Sequence, residues 1–192
     1  MRKLIAITQL SLDGVMQGPG GPQEDPRNGF TLGGWAMRFG DEAIEKALND
    51  TVAGEFDLLL GRWTYNLFAG YWPKQGDNPV TKGFDRATKH VVTNSGSSLD
   101  WAPSKAITGD ALAGVRNLKA SAGPEIHIWG SHTLLQALMG AGLVDEHRLW
   151  IAPVVLGQGK RLFEAGLPPR DLALVETART PKGVLLNTYR PA

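Results

Sequence analysis

The chain has no cysteine among its 192 residues. That absence excludes disulfides, thiolate nucleophiles and cysteine-based metal sites. No run approaches the roughly 20 apolar residues of a membrane-spanning helix. The N-terminus opens on a strand-like pattern rather than a basic segment with a cleavage site, so a cytoplasmic location is expected. An excess of one charge is missing too: 20 Lys and Arg stand against 19 Asp and Glu, for a net charge of +1. Nothing electrostatic therefore draws the chain to nucleic acid or to an anionic membrane. Histidine is sparse. The four present, His90, His127, His132 and His147, show no i, i+4 spacing, so no metal site is expected.

What is present suits one globular domain over residues 1–192, with 42% hydrophobic and 20% charged side chains to form a core and a surface. Residues 3–12, KLIAITQLSL, read as a strand covered on both faces. A Gly/Pro loop follows at 18–29, of a length often used for lids or binding loops. Helical spacing is clear at 41–52 and at 110–120. Strand–helix units appear at 56–68 and at 125–142, and a third strand spans 89–94. Residues 147–157 read as a strand interrupted by Pro153, and two alternating runs around Pro181-Lys182-Gly183 read as a terminal hairpin. The alternation predicts an α/β fold: a central mixed, mostly parallel sheet, helices on both faces, and a C-terminal antiparallel hairpin.

Ligands of open α/β sheets bind beyond the carboxyl ends of the strands, where helix N-termini gather. Three segments share that design. In LLLGRWTY, Gly61 lets the backbone turn while Arg62 and Thr64 bring a cation and a hydroxyl to a helix start. In VVTNSG, Thr93 and Asn94 place hydrogen-bonding groups at a strand end. In IHIWGSHTL, Gly130 permits close approach, and Ser131 to Thr133 bring backbone N–H groups to the first helical turn. A helix N-terminus favours an anion by roughly 0.3–2 kcal/mol, and its N–H groups add direction. Each piece has a plainer reading as a turn, a surface charge or a strand-end cap. Together they make a seat for a dinucleotide.

SLDGVM after the first strand, LLLGRWTY, WGSHTLLQALMGAGLVDEHRLWIAPVVLGQGKRLF and the C-terminal hairpin resemble the dihydrofolate-reductase-like superfamily. The branch is that of the riboflavin-biosynthesis reductase domain, the C-terminal half of the bifunctional deaminase-reductase, and its stand-alone relatives. The resemblance implies a three-layer fold, an NADPH cofactor, a small heterocyclic or carbonyl substrate and a homodimer. It places Arg62 and Thr64 at the cofactor's phosphates, and Thr93 and Asn94 on the adenosine phosphate side. Gly130, Ser131, Thr133 and Leu134 fall at the helix start that holds the pyrophosphate. Gly14 and Val15 fall beside the nicotinamide, and Asp13 matches an aspartate near the reacting centre. Two features depart from the pattern: Ser131 replaces a second glycine, and Trp129 stands where the riboflavin reductases resemble a glutamate. For a substrate carboxylate of the dihydrofolate type, Asp41, Glu42 and Glu45 all qualify.

Asp13 can relay a proton or simply form an Asx-turn with Gly14. His132 and His147 titrate in a useful range but read as structural or solvated. Trp35, Phe39, Tyr71 and Trp72 are able to stack on a planar heterocycle or to plug the space under the long loop. Trp129 either faces the substrate or packs beneath the turn. Gly157-Gln158-Gly159 lacks the rest of a dinucleotide fingerprint and reads as a turn. The leading expectation is an NADPH-dependent reductase; the alternative is a nucleotide-binding module that kept the fold without the chemistry.

Overall fold

Short apolar runs bounded by glycine or polar residues set the strands, and the helices fill the longer amphipathic intervals. The computed structural model describes residues 1–192. In chain order the elements are β1 (Leu4–Ser11), α1 (Glu42–Ala53), β2 (Phe56–Gly61), α2 (Arg62–Tyr71), α3 (Pro79–Arg86), β3 (Lys89–Val92), β4 (Ser104–Ile107), α4 (Ala111–Ala120), β5 (Glu125–Trp129), α5 (His132–Gly140), β6 (Glu146–Ala152), β7 (Leu172–Arg179) and β8 (Leu185–Pro191). One eight-stranded sheet runs β4-β3-β2-β5-β1-β6-β8-β7. The pairs β2–β3, β2–β5 and β3–β4 are parallel, while β6–β8 and β7–β8 are antiparallel. The mixed sheet and its terminal hairpin are those the sequence led us to expect.

Four details differ. The strand expected at 147–157 stops at Ala152, because Pro153 has no N–H to continue a ladder. The third strand ends at Val92, and Thr93 and Asn94 begin the loop instead. Helix α3 was hidden because Gly83 lies inside it; a Cβ there would sit 2.9 Å from Val52 Cβ, so the glycine permits α3 to approach that side chain. Strand β4, SKAI, is too short and polar to show apolar alternation, and its two central residues are exposed.

The chain forms two compact units. Unit 1 comprises Met1–Ala6 and Ala47–Asp145. Its core is built from Leu58, Leu59, Leu60, Ile126, Ile128, Leu135 and Leu138, each at most 0% exposed. Burying each such side chain contributes about 1.5–3 kcal/mol. Phe84 joins this core and meets Phe56, Phe68, Trp72 and Trp129 with ring centroids 4.9–6.2 Å apart. A largely buried carboxylate in this unit is answered: Asp57 accepts from Arg2 and contacts His90 at 3.0 Å. Burial pushes the Asp57 carboxyl up, but these two partners outweigh it and hold it below its usual range.

Unit 2 comprises Ile7–Lys46 and Glu146–Ala192. Its hairpin carries a bulge between Leu174 and Glu176, and Thr177 donates to Asn187 across the strands at 2.7 Å. The Gly/Pro loop, of a length used for lids or binding loops, is stapled down. Buried Gln17 donates to the carbonyls of Asp25 and Arg27 at 3.0 and 2.9 Å and accepts from Lys160 N–H at 3.0 Å. The Trp35 indole donates to the Gln17 carbonyl at 2.8 Å, and Lys160 reaches the Asp25 carboxylate at 2.6 Å. A loop whose polar groups are bonded inward in this way has little to gain by opening.

Candidate functional site

Strands β2 and β5 are parallel neighbours, with Leu59 opposite Ile128. Each runs almost directly into a helix, α2 at Arg62 and α5 at His132, so two helix starts lie side by side within unit 1. The other helices are capped by side chains. Asp41 accepts from Ile44 N–H at 3.0 Å, Asn78 from Thr81 N–H at 3.0 Å, and Asp110 from Leu112 and Ala113 N–H at 2.9 and 3.1 Å. Neither α2 nor α5 carries a side-chain cap. First-turn N–H groups have no partner within their own helix, and at α2 and α5 no N-cap side chain answers them.

The junction after β5 is shaped by two left-handed residues, Gly130 with φ 62° and Ser131 with φ 60°. Glycine takes that conformation without cost, whereas serine gives up about 1–3 kcal/mol. The Ser131 hydroxyl oxygen accepts from Gly61 N–H at 2.8 Å, tying the end of β2 to the turn after β5. Thr64 is buried beside the same turn; a Cβ on Gly130 would come within 3.7 Å of its methyl group. Gly61, Thr64, Gly130 and Ser131 thus converge, as the sequence implied. Thr133 and Leu134 occupy the first turn of α5, the former exposed and the latter buried.

Arg62 reaches across from the α2 start. One guanidinium nitrogen donates to the Ser98 carbonyl at 3.0 Å, and the group lies 5.7 Å from the Tyr65 ring centroid. Its other terminal nitrogen, Nη1, is buried and has no hydrogen-bond partner. A buried cationic donor left in that state is costly, and an anionic oxygen would relieve it. Thr93 and Asn94 have local duties: Thr93 Oγ1 accepts from Ser95 N–H at 3.0 Å, and Asn94 Oδ1 accepts from Gly109 N–H at 2.9 Å. Their side-chain oxygens hold loops in place.

Asp13 lies in unit 2, held by hydrogen bonds to its carboxylate. Its carboxylate accepts from Ser11 Oγ at 2.7 Å, from Leu156 N–H at 3.0 Å and from Gly157 N–H at 2.9 Å. Burial pushes its pKa up, but the bonds from Leu156, Ser11 and Gly157 prevail and bring it to about 2. These bonds make Asp13 a clamp on the 156–157 turn. Gly14 and Val15 are similarly engaged. Gly14 N–H donates to the Ser11 carbonyl and its carbonyl accepts from Leu162 N–H, at 2.9 and 3.0 Å. Val15 N–H donates to Ser11 Oγ at 2.9 Å, and its side chain is fully buried.

The aromatic candidates resolve toward packing. Trp35 is 6% exposed and packs beneath the stapled loop, one of the two roles expected of it. Phe39 is half-buried, with the Arg38 guanidinium 4.9 Å from its ring centroid. Trp129 is 8% exposed and edge-on to Phe84 at 5.6 Å, the core position of its two readings. Asp41 caps α1 and also accepts from Lys182 N–H at 3.1 Å, so it is a structural carboxylate. Two residues escaped the sequence reading. Ser11 and Gln17 anchor the turns of unit 2, yet a buried polar residue in an apolar run carries no periodic signal.

Comparison with known proteins bears on the fold and the family. The chain is 29% identical to Uncharacterized protein YyaP of Bacillus subtilis over 98% of its own length and 94% of that protein's. It superposes on a putative riboflavin biosynthesis protein from Shewanella sp. PV-4 with a TM-score of 0.69 at 19% identity, covering 99% of both chains. A pyrimidine reductase-like protein from Corynebacterium diphtheriae gives a TM-score of 0.65 at 14% identity, covering 100% of this chain and 92% of the other. The diaminohydroxyphosphoribosylaminopyrimidine deaminase/5-amino-6-(5-phosphoribosylamino)uracil reductase of Thermotoga maritima gives 0.63 at 13% identity, with all of this chain spanning 57% of that protein. Residues 2–186 match the RibD C-terminal domain, and the chain belongs to that family.

Proposed function

We propose that this protein is a cytoplasmic NADPH-dependent reductase of a small heterocycle of pteridine or pyrimidine type, or of a small carbonyl compound. Membership of a reductase-like family supports the oxidoreductase class. The observation that carries the cofactor is the pair of uncapped helix starts after β2 and β5, flanked by the partnerless Nη1 of Arg62. That donor set fits a dinucleotide's phosphates. The first-turn N–H groups of α5 would hold the bridging phosphates, with Thr64 beside Gly130 and Arg62 reaching a further phosphate oxygen. When bound, NADPH supplies hydride to an electrophilic carbon of the substrate. The protein's share is binding and orientation, together with exclusion of water. Asp13 holds the 156–157 turn through two backbone N–H groups.

The test is NADPH oxidation with a panel of pteridine, pyrimidine and carbonyl acceptors. Turnover with none of them, alongside measurable NADPH binding, favours the second reading, a nucleotide-binding module without chemistry. The engaged Asp13 is the observation on that side. The partner we propose is a second copy of the chain, seated on β7. That edge strand is exposed along nearly its whole length, including Leu174 and Val175, and an edge of this kind invites another strand. A monomer in sedimentation at micromolar concentration would refute the dimer.

A further inference from the structure

Asparagine is among the chemically labile side chains, because the next residue's backbone nitrogen can attack its amide carbon. A following glycine leaves that approach unobstructed, and Asn28 is the one asparagine of this chain that precedes a glycine. The others are placed against the reaction. Asn49, Asn66 and Asn117 lie within α1, α2 and α4, and Asn187 lies in β8. Asn78 precedes Pro79, whose nitrogen carries no hydrogen, and the Asn94 side chain is bonded to Gly109 N–H. Asn28 and Gly29 are both exposed, and a Cβ on Gly29 would meet nothing within 4 Å.

The fold holds this pair in a tight turn. Asn28 has φ 58° and ψ 27°, Gly29 has φ 73°, and Phe30 N–H closes the turn on the Arg27 carbonyl at 3.4 Å. Asparagine followed by glycine suits such left-handed angles. A ψ of 27° sets the Gly29 nitrogen on the side of Asn28 away from its side chain. The closed turn therefore keeps nucleophile and amide apart, and they meet only when it opens. Its closing bond is long, so the firmer restraint is the buried Gln17 amide, which donates to the carbonyls of Asp25 and Arg27 at 3.0 and 2.9 Å.

We propose that Asn28 is a site of spontaneous covalent modification, gated by the Gln17 staple. In the open turn the Gly29 nitrogen bonds to the Asn28 side-chain carbon. The bond from that carbon to the side-chain NH2 breaks, and the group leaves as ammonia with the proton from Gly29. Water then opens the resulting cyclic imide at either carbonyl. One product is an ordinary aspartate; the other is an isoaspartate, with the main chain routed through the former side chain. No oxidant or reductant enters. The isoaspartate lengthens the backbone inside the turn that presents the Arg27 carbonyl to Gln17, so modification loosens the staple that had delayed it.

The experiment incubates the full chain at neutral to mildly alkaline pH and follows it by peptide mass mapping, with enzymatic methylation of isoaspartate as a second readout. Wild type is expected to convert amide to acid at Asn28 before any other asparagine. Gln17→Ala is expected to convert about 3- to 10-fold faster, the scale of one lost hydrogen bond on the population of the open turn. Should Gln17→Ala fail to fold, Lys160→Met, which removes the neighbouring tie to Asp25, is read in its place and also converts faster. Asn28→Gly suits the left-handed turn, keeps the fold and shows no conversion in this peptide. Conversion first at Asn94, or none at Asn28, overturns the site. Equal rates in wild type and the staple variants overturn the gating.

Discussion

Unit 1 and unit 2 treat the ends of their strands in opposite ways. In unit 1, the turn after β5 uses one hydroxyl to tie two strands together and leaves the helix starts uncapped. In unit 2, the turn after β1 gathers its donors inward: a carboxylate takes two N–H groups and a hydroxyl, and Gly14 and Val15 spend their N–H groups nearby. The apolar surface is divided the same way. Leu12, Val155, Phe163, Leu174 and Val175 of unit 2 are roughly half to two-thirds exposed, while unit 1 shows the terminal Met1, Trp63 and Tyr71. Open polar donors suit an anionic ligand, and exposed apolar groups suit a flat ligand or another chain. The contrast teaches that strand ends of one sheet become a site or a seal according to where a few short side chains point.

The largest expected effect concerns the core of unit 1. Phe84→Ala should cost about 3–5 kcal/mol in urea unfolding, because Phe84 is buried and touches four other aromatic rings. Loss of less than about 1 kcal/mol would show that the aromatic cluster collapses to fill the space.

Next comes the open end. Arg62→Ala should weaken NADPH binding about 10- to 100-fold while changing NADH binding little, since a hydrogen bond to a charged group is worth roughly 1.5–3 kcal/mol. Equal losses for both cofactors would move Arg62 from the distinguishing phosphate to the shared ones.

A pH measurement sharpens the contrast further. Lys89 is fully buried, donates to the Asp85 and Ala102 carbonyls at 2.8 and 3.1 Å, and lies 4.2 Å from the Trp101 ring centroid. Burial lowers its pKa from 10.5 to about 8. Between those two values the unfolded chain binds the extra proton, so stability should rise as pH increases from about 8 toward 10.5. In Lys89→Met that rise should disappear; a parallel rise in both proteins would assign it elsewhere.

The smallest effect belongs to the sealed end. The Asp13 pKa is lowered from 3.8 to about 2, so its contribution is present above the unfolded value and lost as pH falls through the folded one. Asp13→Asn should therefore flatten the acid limb of stability between about pH 4 and 2 relative to wild type. The pH profile of any reductase turnover near neutrality should keep its shape. A new limb in that profile would restore Asp13 as a proton carrier and break the comparison.

Local patterning made much of this molecule legible. The strand–helix units at β2–α2 and β5–α5 could be read from apolar runs that stop at glycine, because glycine punctuates both elements physically. The hairpin could be read from two alternating runs around Pro181-Lys182-Gly183. The short polar strand β4 and the glycine-containing helix α3 could not, since what stabilises them is contact with distant residues rather than their own period. At the site, Gly61, Arg62, Thr64, Gly130 and Ser131 were legible as residue types at helix starts. The jobs of Asp13, Trp35 and Trp129 were not.

By itself, then, the sequence determined the element types, the mixed α/β architecture and the strand ends at which donors collect, because those follow from periodicity and backbone preference. Tertiary structure alone decided which donors stay open. Whether Ser131 caps its own helix or Gly61 depends on a strand 70 residues away, and whether Asp13 holds a proton depends on Leu156 and Gly157, 143 and 144 residues along the chain. Hydrogen bonds are short and directional, so a side chain's role is fixed by whichever distant backbone the fold brings within about 3 Å of it.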